Sequence, residues 1–385
     1  MYRERIELLA TGGLVEAHLD AWAAERSVAA GPWRRVYGKL KPQRSPWAVL
    51  VYEAAGGPTV RVRLLESTDD RAANGLGEIE ISSCEDDPAL PGLPAVLAAL
   101  DEPVVVRYRP GNRCTVRGNV EDTGRYVKIL TDAVDDQVEA RARWDATRAG
   151  VLSFAVAEPH GWDGRTQSSW YGVVPGNPLL PHLAGPDGAR AARAVGRSLG
   201  ELAVAPLRPR ASVDAAEQLV RTGRGLRRAA AAAPALADEL RRAGDALARA
   251  HQDLGSRPLV PAHGAAHMNQ WLVDDDGRLG LVDFDRFALG DPEFDVATFL
   301  VELRAESSAL LLPYHELETA VLDGFRETGG ELDEQRLRLY ARHKQLSKVT
   351  RTAAALRPGA EQRAGRELAE LLASDQSSDW IPASS

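Results

Sequence analysis

The sequence predicts a mixed α+β fold in which a strand-rich first part is followed by a mainly helical second part. Three observations support this order. Apolar residues that alternate with charged ones recur early in the chain, for example at 59–65 and 77–82. Residues 181–255 and most of the chain after residue 295 have the apolar spacing of helices instead. One pair of short strands, within 272–282, interrupts this helical part.

Composition narrows the class of protein. The chain has 385 residues, enough for two or three domains, and its formal net charge of −8 argues against non-specific nucleic-acid binding. Its two cysteines, Cys84 and Cys114, suggest neither a disulfide framework nor a zinc site. No apolar run approaches the length of a membrane span, and the first residues lack the apolar segment of a signal peptide. We therefore expect a cytoplasmic protein that does not enter a membrane.

Residues 1–100 are expected to form a small α+β subdomain. Helical spacing at 6–24 is followed by strand patterns at 47–52, 59–65 and 77–82. No motif with an evident chemical use occurs in this stretch, so packing against the next part of the chain is its expected role.

Residues 101–175 are expected to form a second strand-rich lobe. Two strands flank a turn that contains Arg109 and Gly111, a third strand carries Lys128, and a helix with Glu139 follows. Lysine is scarce in this chain, so a lysine inside an apolar strand suggests a specific role. The alternative is a lysine at a sheet edge whose charge reaches into solvent.

The stretch 259–300 carries the densest set of chemical groups. It predicts a β-hairpin whose turn is Asp274-Asp275-Asp276-Gly277. Polar residues stand before and after this hairpin: His263, Gly264, Asp283, Asp285, Gly290-Asp291-Pro292 and Asp295. Mg²⁺ takes oxygen ligands and keeps part of its coordination for phosphates. Carboxylates at the exit of a hairpin therefore favour a site for a metal-bound phosphate.

These motifs resemble the catalytic centre of the aminoglycoside/choline phosphotransferase family, the small-molecule branch of the protein-kinase-like fold. The family pattern is His-Gly-Asp, four residues, Asn, a hairpin, and then an aspartate near the start of Asp-Phe-Asp. His263-Gly264 and Asp283-Phe284-Asp285 match it. The resemblance implies two lobes, a strand-rich lobe at 101–175 and a helical lobe at 176–373. Residues 374–385 are rich in Ser and Asp and are expected to form a loose tail. It also implies that residues 1–100 are an extra cap, as in maltokinase-like relatives.

The resemblance further implies ATP and Mg²⁺ as cofactors. Lys128 would then contact the donor phosphates, and Glu139, in competition with Asp135 and Asp136, would hold that lysine extended. Asp283 and Gln270 would bind the metal. The remaining implied nucleotide contacts are the turn residues Arg109 and Gly111 over the phosphates and the hinge residues Tyr171, Val173 and Val174 beside the adenine ring.

Two positions depart from the family pattern. Gln270 stands at the usual metal-binding asparagine, as in maltokinases, and Asn269 is the alternative ligand if the loop is shifted by one residue. Ala265 stands at the usual catalytic aspartate, and the loss of a general base costs a factor of about 10² to 10⁴ in rate.

Three outcomes of the alanine remain open at this point. The enzyme uses a substitute base, for which His267 and Asp285 are the candidates; it transfers phosphate slowly or to an acidic acceptor; or it is a pseudokinase that binds a nucleotide or a partner. His263, the first residue of the catalytic motif, is expected to order the loop by hydrogen bonding rather than to transfer protons. Asp291 and Asp295 are expected to brace the fold.

The expected acceptor is a hydroxyl of a small molecule or a peptide. The helical segment 212–253, where the family varies its acceptor pocket, is rich in arginine. Such a wall would fit an anionic substrate or an acidic peptide better than a cationic aminoglycoside. The alternative is that these arginines simply form a solvated helix face.

Overall fold

Two antiparallel sheets occupy the first half of the chain. The fold comes from a computed structural model that describes residues 2–11, 13–28, 31–41, 44–66, 75–131 and 135–374. Apart from its first residue, the predicted loose tail at 374–385 lies outside the described residues.

The first sheet has four strands in the order β1-β2-β3-β4 and is preceded by two helices. Val60, Val62 and Leu64 are buried while the residues between them are partly exposed, so the alternation in the sequence marks the two faces of the sheet. The elements are α1 (Tyr2–Thr11), α2 (Leu14–Glu25), β1 (Trp33–Leu40), β2 (Ala48–Ala54), β3 (Thr59–Leu65) and β4 (Glu78–Ser83).

This first sheet contacts both of the later parts of the chain. Val51 on β2 shares a core with Cys114 and Val127 of the second sheet. Leu356, from the helical part, belongs to the core of the first sheet, and its carbonyl accepts a hydrogen bond from Arg35. Residues 1–100 therefore pack against both lobes rather than against the next lobe alone.

The second sheet has five strands in the order β5-β6-β7-β9-β8. Lys128 lies on β7, opposite Thr115 of β6 and Ser169 of β9. It is thus on the middle strand, and the alternative of a lysine at a sheet edge is wrong. The elements are α3 (Leu93–Ala98), β5 (Asp101–Arg109), β6 (Arg113–Val120), β7 (Thr123–Leu130), α4 (Gln137–Arg148), β8 (Pro159–Asp163) and β9 (Ser168–Gly172).

The rest of the described chain is mainly helical, which confirms the α+β order predicted from the sequence. Its helices are α5 (Leu180–Leu183), α6 (Gly188–Val204), α7 (Ala215–Ala232), α8 (Ala237–Gln252), α9 (Glu293–Leu310), α10 (Tyr314–Arg326), α11 (Glu334–Ala353) and α12 (Ala360–Ser374). None of the helices in the described ranges is both long and apolar enough to cross a membrane.

Two small sheets are set into this helical part. The predicted hairpin is confirmed, and its two strands pair antiparallel from Trp271–Leu281 to Val273–Leu279. The other short strands were missed because two or three residues are too few to show a period. The strands are β10 (Asn177–Pro178), β11 (Ser212–Val213), β12 (Val260–Ala262), β13 (Trp271–Val273), β14 (Leu279–Leu281) and β15 (Ala288–Gly290).

Helices α6 and α10 touch through their backbones. A Cβ built on Gly196 would lie 1.9 Å from the carbonyl oxygen of Val321, and one on Gly324 would lie 2.0 Å from that of Arg193. Only glycine permits this approach at either position. The contact fixes the helical frame beneath the hairpin, whose Trp271 is fully buried against Phe154 and Phe299.

Candidate functional site

A cleft of about 590 Å³ separates the five-stranded sheet from the hairpin. Thr115 and Lys128 line it from the sheet, and Leu272 and Asp283 line it from the hairpin side. The cleft thus joins groups that lie far apart in the sequence, and most of the predicted site residues face it.

Lys128 spans the cleft to both aspartates of the Asp-Phe-Asp motif. Its Nζ donates to Asp283 Oδ1 at 2.7 Å and to Asp285 Oδ1 at 2.5 Å. Glu139 does not contact it, because the Glu139 carboxylate accepts the backbone N–H of Arg210 at 2.6 Å. The hypothesis that Glu139 holds Lys128 is therefore wrong in this structure. Sequence order alone could not reveal the competing donor on the loop before α7.

The two aspartates have different electrostatic surroundings. Burial disfavours a charged Asp283, but Lys128 and its hydrogen bond outweigh burial and hold the pKa of this carboxyl well below its usual value. Burial raises the pKa of Asp285, and the neighbouring Asp283 adds to the rise, although Lys128 opposes it. Arg113 also pairs with Asp285. Asp283 has a φ of 69°, an uncommon conformation for a residue with a side chain and one that is frequent at functional sites.

The Gln270 side chain also lies beside Asp283, and it comes from a single helical turn, Met268–Gln270. Its Nε2 lies 3.5 Å from Asp283 Oδ2, and its Oε1 accepts the backbone N–H of His267 at 3.2 Å. Asn269 is exposed and also lines the cleft.

The donor set fits Mg²⁺. Two carboxylates and a carboxamide meet at one edge of the cleft, and all three carry the oxygen atoms that Mg²⁺ prefers. In the described part of the chain, no three His, Cys, Asp or Glu side chains form a complete metal cage.

His263 is buried in the loop that precedes the hairpin. It is fully buried, its Nε2 donates to the Val282 carbonyl at 3.0 Å, and its ring packs on Phe284. Burial lowers the pKa of His263 to about 3, so the ring is neutral at pH 7. The geometry agrees with the expected ordering role.

Two buried aspartates brace this loop, as the sequence predicted. The Asp295 carboxylate accepts the backbone N–H of Gly264 at 3.1 Å and of Ala266 at 3.2 Å. Asp291 accepts from Arg336 at 2.9 Å and from the Tyr340 hydroxyl, which ties the loop after the hairpin to α11. Asp295 therefore holds backbone N–H groups, Asp291 holds two side chains of α11, and neither aspartate lines the cleft.

Ala265 lies between the two residues that Asp295 holds. His267 lines the cleft nearby, and burial lowers its pKa, so it is neutral at pH 7. Glu302 also lines the cleft and pairs with Lys344 at 3.0 Å. Sequence reasoning missed Glu302 and Lys344, because each lies inside a long helix whose charged residues show no motif.

The residues predicted to lie beside the adenine ring differ in whether they face the cleft. Tyr171 and Val174 line the cleft, but Val173 is exposed and does not. The Tyr171 hydroxyl is held by Asp136, a residue that was weighed only as an alternative to Glu139.

The turn predicted to cover the phosphates faces elsewhere. The Gly111 amide donates to Asp87 at 2.7 Å, because the first sheet places that carboxylate against the turn. Neither Gly111 nor Arg109 lines the cleft, and both are corrections to the prediction. Arg107 and Arg113 line it from the flanking strands instead.

One buried cation in the cleft had no signal in the sequence. Arg143 on α4 is 4% exposed and lies over the rings of Phe284 and Phe287 at 4.5 and 4.6 Å. It fixes the phenylalanine between the two aspartates through cation–π contacts.

Comparison with known proteins agrees with this geometry. Residues 120–340, more than half of the chain, match the model of the phosphotransferase enzyme family, APH. The chain belongs to this family. Comparison with curated protein sequences yields no match.

Solved structures show the same fold at low sequence identity. The choline kinase LicA from Streptococcus pneumoniae is 13% identical, with a TM-score of 0.51 over 72% of this chain and 96% of that one. The amicoumacin kinase hAmiN, in complex with AMP-PNP, Ca²⁺ and Ami, is 13% identical, with a TM-score of 0.54 over 74% and 93%. A thermostable mutant of aminoglycoside phosphotransferase APH(4)-Ia is 13% identical, with a TM-score of 0.53 over 75% and 100%. These matches confirm the protein-kinase-like fold.

Proposed function

We propose that this chain is an ATP- and Mg²⁺-dependent phosphotransferase that acts on a small molecule or a peptide. Membership of the family supports an ATP-dependent transfer to a small molecule. The observation that carries the proposal is the contact of Lys128 with Asp283 and Asp285 across the cleft. A phosphoryl-transfer site needs such a cation for the donor phosphates and such carboxylates for the metal.

Each residue of the cleft has a proposed task. Lys128 would exchange its carboxylate partners for the donor phosphates, which frees Asp283 and, after rotation of its carboxamide, Gln270 to bind Mg²⁺. The bound ion would neutralise charge on the transferred phosphoryl group. Tyr171 and Val174 would contact the adenine ring. Arg113 would stay near Asp285 and add positive charge beside the phosphates.

Ala265 favours a second candidate, a nucleotide-binding module without transfer. It removes the carboxylate that aligns and deprotonates a hydroxyl in the family pattern.

An active enzyme would need a substitute base. His267 is neutral and faces the cleft, so it is the better-placed substitute base. Asp285 is held by Lys128 and Arg113 and is therefore a poorer one.

A thermal shift experiment tests the nucleotide site. ATP with Mg²⁺ should raise the melting temperature of the wild type, since a ligand at 100 times its Kd adds about 2.7 kcal/mol of stability. Asp283→Ala should abolish the rise. The control Asp275→Ala removes an exposed carboxylate from the turn of the same hairpin and should keep it. Absence of a shift in the wild type would count against both candidate functions.

A further inference from the structure

Three arginines lie in the cleft or against the loop that bears the alanine replacing the catalytic aspartate. Arg107 and Arg351 line the cleft, from β5 and α11. Arg286 packs on the residue before Ala265, because a Cβ built on Gly264 would lie 3.0 Å from Arg286 Cβ. Within the described residues, none of these three arginines takes part in an ion pair or a side-chain hydrogen bond.

The cations of this region act on one another. Burial lowers the pKa of Arg109 to about 10, and Arg107 and Arg113 add to the effect. Burial lowers the pKa of Lys344 as well, and Arg351 and Arg286 add to the effect, although Glu302 opposes it. The carboxylates of Glu302, Asp283 and Asp285 offset part of this positive charge. An anionic ligand would neutralise more of it and would thereby stabilise the folded chain.

The donor phosphates account for only part of this charge. Lys128 and Arg113 already face the two aspartates of the metal loop, which is the phosphate side of the cleft. Arg286 and Arg351 belong to the helical part, near the loop that bears Ala265. A general base must lie within hydrogen-bond reach of the acceptor oxygen, so position 265 marks the place of the acceptor.

We propose that the acceptor atom is an anionic oxygen, from a carboxylate or a phosphate monoester, and that Arg286 and Arg351 hold it; this rests on the proposed phosphotransferase function. An anionic acceptor explains both the alanine at position 265 and the arginines near it. A hydroxyl needs a base to take its proton, whereas a carboxylate or a phosphate monoester is already ionised at pH 7. An aspartate at position 265 would only repel such an acceptor, and the nearby arginines would attract it.

The transfer step needs no proton acceptor. A lone pair of the anionic oxygen forms a bond to the γ-phosphorus of ATP. The bond from that phosphorus to the oxygen bridging the β- and γ-phosphates breaks, and its electron pair leaves with ADP. No atom is oxidised or reduced. The products are ADP and either an acyl phosphate or a substituted diphosphate.

The experiment compares anionic acceptors with matched neutral alcohols. Acetate, benzoate and N-acetylglutamate represent carboxylates, glycerol 3-phosphate and glucose 6-phosphate represent phosphate monoesters, and glycerol and glucose are the neutral partners. Trapping with hydroxylamine reports an acyl phosphate, and phosphorus NMR reports a diphosphate. Calorimetric titration of each acceptor without ATP gives a binding readout that does not depend on turnover.

Variants then assign the residues. Arg286→Gln and Arg351→Gln should each raise the KM and the Kd for the anion at least tenfold and leave the Kd for ATP within twofold. Arg249→Gln, an exposed arginine on α8 outside the cleft, is the matched control and should change neither. Ala265→Asp should weaken binding of the anion at least tenfold and favour transfer to the alcohol.

Two results would overturn the proposal. One is phosphorylation of the neutral alcohols in preference to the anions. The other is binding of ATP, shown by the thermal shift, without binding or phosphorylation of any anion in the panel. Loss of the thermal shift itself would instead mark failure of the proposed nucleotide site.

Discussion

Asp295 offers a direct test of how the loop before the hairpin is held. Its carboxylate is 3% exposed and accepts two backbone N–H groups, from Gly264 and Ala266. A hydrogen bond to a charged group contributes about 1.5 to 3 kcal/mol, and an unsatisfied buried donor costs about 1 to 3 kcal/mol. Burial of the carboxylate already costs free energy and raises its pKa, which reduces the net loss on removal. We therefore expect Asp295→Ala to destabilise the loop by about 2 to 4 kcal/mol.

Hydrogen exchange measures this loss at the loop itself. A change of 2 to 4 kcal/mol in the free energy of local opening corresponds to about 30- to 700-fold faster exchange of the Gly264 and Ala266 amides. Asp295→Asn keeps one acceptor oxygen and should give an intermediate rate. Asp275→Asn, exposed in the hairpin turn, is the control and should match the wild type. Unchanged exchange at Gly264 and Ala266 in Asp295→Ala would refute the bracing role.

Two further predictions concern the helical part: one tests the packing of α6 against α10, and the other tests the pH dependence of stability. Gly196→Ala would place a methyl group 1.9 Å from the Val321 carbonyl oxygen and should lower the free energy of unfolding, measured in urea, by more than about 2 kcal/mol. The control Gly223→Ala has room for the methyl group and should raise this free energy by about 0.5 to 1 kcal/mol. Equal effects of the two substitutions would contradict the close contact of α6 and α10. His343 is fully buried against Thr222 and His251, and burial lowers its pKa to about 3. The folded state then binds fewer protons than the unfolded state below about pH 6.5, so the contribution of His343 to stability is present above that pH and falls by about 1.5 kcal/mol between pH 6.5 and 5. Urea titrations at the two pH values should show that His343→Gln loses about 1.5 kcal/mol less stability than the wild type over this interval. An equal loss in the variant and the wild type would exclude this histidine as the cause.

Local patterns predicted the hairpin well. The turn Asp274-Asp275-Asp276-Gly277 and the short apolar runs beside it depend on neighbouring residues alone, and the structure confirms them. The same holds for Lys128, because strand order in an antiparallel meander follows chain order. The resemblance then related this lysine to Asp283, although 155 positions separate them.

Local sequence patterns did not predict which hydrogen-bond partners residues find far away in the sequence. Glu139 lies in the predicted helix, yet its carboxylate binds a backbone amide 71 positions further on. Gly111 lies in the predicted turn, yet its amide is taken by Asp87 of the preceding segment. Each residue had the expected local structure and an unexpected partner, because periodicity reports which face a side chain is on and not what packs against that face.

Ala265 illustrates what the sequence determines and what only the folded structure determines. Its identity and its place in the motif follow from the chain of residues, and so does the absence of a carboxylate at that point. That Arg286 packs on the preceding Gly264, and that Arg107 and Arg351 line the same cleft as His267, was decided only when a strand, the loop after the hairpin and a late helix packed together. Electrostatics depends on distances through space, and for charges brought together from three separate segments those distances exist only in the folded chain.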